Sequence, residues 1–139
     1  MEWLFWALLS ALFAGATAIL AKVGVADINS NLATAIRTTV ILLFSWIIAL
    51  VTTRGGDFSS IGKRAWIFLV LSGMATGLSW LCYFRALQLG AISKVAPIDK
   101  LSVVVAMALA ITFLGEKLEL REGIGAGLIV LGAIVLAWK

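Results

Sequence analysis

Ala65-Trp-Ile-Phe-Leu-Val-Leu-Ser-Gly-Met-Ala-Thr-Gly-Leu-Ser-Trp-Leu-Cys-Tyr-Phe84 runs for 20 residues without a charge. As a helix it is ~30 Å long, the thickness of a bilayer's hydrocarbon core. Backbone groups in lipid must be satisfied within their own segment, and no alternating strand pattern is present, so this stretch reads as a transmembrane helix. Working outward, residues 3–21 hold 19 positions without a charge, and only Arg37 interrupts residues 28–53. Residues 95–115 are long enough only with Asp99 and Lys100 included. Residues 123–138 are uncharged for 16 positions, a short span flanked by Glu122 and Lys139, whose side chains can snorkel. The result is an all-α integral membrane protein, a bundle of five transmembrane helices over 3–22, 31–53, 65–87, 95–115 and 123–138, forming one domain over 1–139. The longest connection, Arg54 to Arg64, carries a plain turn signal in its glycines and serines.

Composition excludes the alternatives. Of 139 residues 63% are hydrophobic and 13% charged, with a mean hydropathy of +1.12. So few charges cannot cover a soluble domain of this size. The 11 Lys and Arg against 7 Asp and Glu leave +4, but they sit between apolar blocks and form no basic face for nucleic acid. There is no His, and the single Cys82 lies inside an apolar run, so no metal site, disulfide framework or cofactor is expected. No nucleophile–base pair is present, so an enzyme is not expected either. Ala14-Gly15-Ala16 imitates a signal-cleavage site. The run is long for a signal, however, and Met1-Glu2 before it carries no positive side chain, so the first span is expected to stay. The expected location is the plasma (inner) membrane, crossed several times.

An odd number of spans puts the termini on opposite sides. The N-terminal side carries Arg54, Lys63, Arg64, Lys117 and Arg121. The other carries Lys22, Arg85, Lys94 and Lys139, with Arg37 and Lys100 inside helices near that face. The positive charge that normally fixes orientation is balanced. Two readings stay open: copies that insert both ways and pair antiparallel, or one orientation chosen by weaker cues.

The segment from Thr112 through Phe-Leu-Gly-Glu-Lys-Leu-Glu-Leu-Arg-Glu-Gly-Ile-Gly-Ala-Gly to Gly132 resembles the closing signature of the EamA family, within the drug/metabolite transporter superfamily. Phe13-Ala-Gly15 followed by Lys22 resembles its first-helix pattern, and Arg37 matches the basic residue opening the second helix. Tyr83 to Gly90 and Val95-Ala-Pro97 resemble the stretch joining the third and fourth helices. Most members carry two five-helix repeats. Duplicating an odd number of spans inverts the second copy and puts the substrate site between halves. One repeat alone implies that the missing half is another chain, most simply a second copy in an antiparallel homodimer. The resemblance implies a transporter of small solutes working by alternating access. Two other roles remain open: an accessory subunit of another membrane complex, and a subunit of a lipid-linked-sugar flippase. Unlike the four-helix small multidrug resistance proteins, the first span holds no acid, so Asp99 is the only carboxylate within a span.

Ionisable groups inside spans are costly and need partners or water, which makes them candidates for a solute pathway. Arg37, Asp99 and Lys100 are such groups, with Arg37 expected to pair with Asp99. As helical neighbours, Asp99 and Lys100 should point about 100° apart. Pro97 is expected near the helix start, where a missing donor is tolerated. Snorkelling to the headgroups is the alternative for Asp99 and Lys100, and the expected role of Lys22 and Arg85. Trp80 and Tyr83, with Ser79 and Thr76 nearby, offer a pocket with an indole N–H and hydroxyls, or simply a packed face. Arg37, Trp80, Tyr83, Asp99 and Lys100 are thus the pathway or gate candidates. Gly73-xxx-Gly77, Gly123-xxx-Gly127 and Gly132 allow close helix contact, within one subunit or between two. Glu116 is expected to cap or pair within the loop Glu116–Glu122. The partners expected are the lipid bilayer, a small-molecule solute and a second copy of the chain.

Overall fold

The computed structural model describes residues 2–53 and 60–138. Residues 54–59, most of the expected turn, and Lys139 lie outside them. Among the described residues every regular element is helical, and five helical spans are long and apolar enough to cross a membrane. Helices α1 (Glu2–Gly24), α2 (Ser30–Thr52) and α3 (Lys63–Leu89) form the first three. The fourth span, Ile92–Leu114, is built from α4 (Ile92–Asp99), α5 (Ser102–Leu109) and a π-helical turn (Ala110–Leu114). Helix α6 (Leu120–Ala137) completes the chain, a multi-pass membrane protein.

Local chemistry sets the ends. Asn29 caps α2, its Oδ1 accepting from the backbone N–H of Asn31 at 2.9 Å and of Leu32 at 3.4 Å. Hydroxyls in α2 donate to carbonyls one turn back, Thr34 to Ser30 at 2.9 Å and Thr39 to Ala35 at 3.0 Å, so they need no water.

The fourth span departs from the continuous helix expected over 95–115. Its helix starts at Ile92, which puts Pro97 in the interior of α4. Proline has no N–H for the carbonyl of Ser93, and its ring crowds that turn. The ladder then tightens: Lys100 N–H donates to Pro97 O at 3.1 Å and Leu101 N–H to Ile98 O at 3.0 Å, before α5 resumes. At the far end the helix widens instead. Gly115 takes φ +66°, which a side chain resists, and Glu116 N–H reaches back to Ala110 O at 3.3 Å. In the loop that follows it is Glu122, not Glu116, that caps: its Oε2 accepts from Glu119 N–H at 2.8 Å at the start of α6.

The chain divides into two compact units, Met1–Leu20 with Leu89–Lys139, and Ala21–Gln88. In the first, α6 packs against α4 and α5, and Ala133 is buried. In the second, Ala21, Val25, Ser30, Ala33, Thr34, Phe84 and Leu87 form a small core where the end of α1, the start of α2 and the end of α3 meet. Most large apolar side chains lie outside these cores, and faces of this extent require lipid or protein against them.

Candidate functional site

Polar contacts lock the second unit at one end. Gln88, on α3, donates from Nε2 to the carbonyls of Val25 at 3.0 Å and Ile28 at 2.7 Å, holding the turn between α1 and α2. Arg85 Nη1 donates to Gln88 Oε1 at 3.1 Å, which leaves the amide NH2 facing the turn. From α1, Lys22 Nζ donates to the carbonyl of Leu87. Lys22 and Arg85 therefore do more than snorkel: both tie this end together. Gln88 was invisible as a site residue in the sequence, because its acceptors are backbone atoms about sixty positions away.

This lock ties the turn before α2 to the end of α3, and Arg37 lies seven residues beyond Ser30, roughly 10 Å along α2. Its guanidinium lies over the Trp80 ring, 4.3 Å from the centroid, and 5.5 Å from that of Phe84. Such stacking is worth ~2 kcal/mol or more where water is excluded. Tyr83 is within electrostatic reach of the same group. Among the described residues of its own unit, Arg37 pairs with no acid. The carboxylate expected there, Asp99, is 3.4 Å from Lys100 Nζ in an ion pair whose partners are both partly exposed. Lys100 stands in the tightened turn after Pro97, not at ordinary helical spacing, and this lets the two neighbours meet. An exposed pair contributes ~0–1 kcal/mol.

Beyond Arg37 a groove of about 410 Å³ runs between α2 and α3. Thr38 and Ser45 line it from α2, Ser72, Gly73, Thr76 and Gly77 from α3, and Trp80 stands at one end. Thr38 donates to Thr34 O at 2.8 Å, Ser45 to Leu42 O at 3.0 Å and Thr76 to Ser72 O at 2.9 Å. Each hydroxyl oxygen so engaged keeps lone-pair capacity for another donor. Thr76 and Trp80 fall on the groove as the sequence suggests, whereas Ser79 and Tyr83 do not line it. The α2 hydroxyls are seven residues apart, hence on one face, a signal that was present in the sequence but easily read as ordinary helix content. A Cβ added at Gly73 or Gly77 would meet nothing within 4 Å, so neither glycine serves close packing inside its own unit.

The first unit holds a second cavity of about 550 Å³, where Glu116, Lys117 and Glu122 meet the apolar Met107, Ile111 and Leu118. A Cβ at Gly123 would approach Leu118 Cδ2 at 3.4 Å, while Gly127 and Gly132 are open. Among the described residues no cluster of His, Cys, Asp and Glu could hold a metal.

Comparison with known proteins gives two findings. A sequence model of the EamA-like transporter family matches residues 1–138. The chain is also similar to a Sinorhizobium sp protein described as an uncharacterized transporter in the cobO 3' region, with 55% identity over 136 residues, covering 98% of this chain and 96% of the relative. No solved structure matches.

Proposed function

Because the chain belongs to the EamA-like transporter family, and so is a transporter and not an enzyme, we propose that it moves small solutes by alternating access as a dimer of five-span subunits. The observation that carries this reading is the α2–α3 groove, where hydroxyls and two glycines alternate with the apolar Ile41, Leu42 and Leu69 and where Trp80, stacked under Arg37, joins the lining. Within its own unit the groove is uncovered along one side, and a second subunit covers it. Inverted copies best suit an odd number of spans with balanced flanking charge, because rocking two inverted halves exposes a midplane site to each side in turn. Arg37, Trp80 and Tyr83 act as pathway or gate groups of one unit, and Asp99 with Lys100 of the other. Gly73, Gly77, Gly123, Gly127 and Gly132 serve the subunit contact. The setting is an inner membrane, which suits helical spans.

Gly73→Leu tests the groove directly. An added Cβ meets nothing within 4 Å, so the protein should fold as before, while solute flux into proteoliposomes falls at least tenfold in the fraction that keeps the wild-type assembly state. Unchanged flux in a folded Gly73→Leu protein rejects the groove as the route.

A further inference from the structure

We propose that Arg37 binds an oxyanion carried by the transported solute, a carboxylate or a phosphate. The inference rests on the transport reading above and names the substrate class of that site. A guanidinium has five N–H donors and is always charged, and a charge within a span must find compensation. Two aromatic rings supply part of it, but rings accept no strong hydrogen bond. Among the described residues of its own unit neither an acid nor any other acceptor takes up those donors, and the carboxylate expected to pair with it, Asp99, is engaged by Lys100.

Depth argues against a lipid headgroup as the anion. Counted back from Leu89 at the locked end, Phe84 lies roughly 7.5 Å and Trp80 roughly 13.5 Å along α3. An arginine snorkelling to the interface would sit at or above Phe84. The guanidinium is closer to the deeper ring, at 4.3 Å from Trp80 against 5.5 Å from Phe84. Trp80 also lines the groove, whose hydroxyl oxygens suit the donor groups of an amino or hydroxy acid. A planar fork over an indole face holds a carboxylate with two parallel hydrogen bonds while its back stays stacked.

The test uses purified wild-type chain in phosphatidylcholine nanodiscs, treated with the arginine reagent phenylglyoxal. Modification is read peptide by peptide by mass spectrometry, with Arg64, Arg85 and Arg121 as internal references. Benzoate or phenyl phosphate should slow modification of Arg37 severalfold and leave the references unchanged, whereas benzamide and benzylammonium should protect nothing. Direct benzoate binding should weaken about tenfold or more in Arg37→Gln and recover in part in Arg37→Lys. Equal protection by benzamide, or protection seen only with phosphatidylglycerol in the nanodisc, overturns the proposal.

A parallel flux assay separates the two readings. Proteoliposomes are loaded with a defined mixture of amino acids, hydroxy acids, sugar phosphates, polyols and amines. If polyols or amines alone move, transport stands and the oxyanion assignment falls. If nothing moves, the transport reading fails, while the protection experiment still judges Arg37.

Discussion

Gln88 shows how much one side chain holds in a molecule with so small a core. Its amide satisfies two carbonyls of the α1–α2 turn, at 3.0 and 2.7 Å, and Arg85 fixes its orientation. Gln88→Ala should destabilise the detergent-solubilised protein by about 1–2 kcal/mol, the net worth of one or two partly exposed hydrogen bonds, seen as a lower Tm. Faster amide exchange near Ala26 and Ile28 should accompany it, and an unchanged Tm would show that the lock is idle. Gly115 makes a complementary case. With φ +66° and nothing within 4 Å of an added Cβ, Gly115→Ala meets backbone strain alone, about 1–2 kcal/mol. Gly115→Asn should cost less, because asparagine tolerates this conformation. Equal Tm losses for the two would assign the cost to something other than φ.

Among the elements, the fourth span is the one that is broken. Pro97 removes a donor inside α4, and Asp99 and Lys100 gather at the interruption. Pro97→Ala restores the N–H, so amides from Lys100 to Val104 should exchange several times more slowly. An unchanged exchange pattern would mean that packing on α6, not proline, sets the break. The contrast with the other spans explains what a sequence makes legible. Apolar length announces a membrane helix, and α1, α2, α3 and α6 begin and end within three residues of expectation. Proline at 97 was legible too, but its effect depended on where the helix began, and Ile92 precedes the expected start by three residues. The groove and the partner of Arg37 depend on the register of α2 against α3. Gln88 and a handful of small buried residues hold the start of α2 near the end of α3, and none of these has a sequence signature. The expected Arg37–Asp99 pair followed from both groups lying near one face, a reading that carries no information about the Trp80 ring on which Arg37 stacks.

For the molecule as a whole, the decisive fact is the scarcity of buried apolar surface: among the described residues, Val25 and Leu87 are the largest fully buried side chains. Lipid can cover such faces, but a solute route needs protein across the α2–α3 groove, and the proposed second copy supplies it. Balanced flanking charge permits inverted insertion. In a Cys82→Ser background, Asp27→Cys, in the exposed α1–α2 turn, should react with an impermeant maleimide from both faces of the membrane. Labelling from one face only would exclude the antiparallel arrangement. The most direct measurement of all is native mass spectrometry of the protein released from nanodiscs, on the same preparation whose solute flux has been recorded. Particles of two 14.8 kDa chains should dominate every transport-active preparation. A preparation that carries solute and contains only single chains would contradict the claim that this subunit forms half of a route.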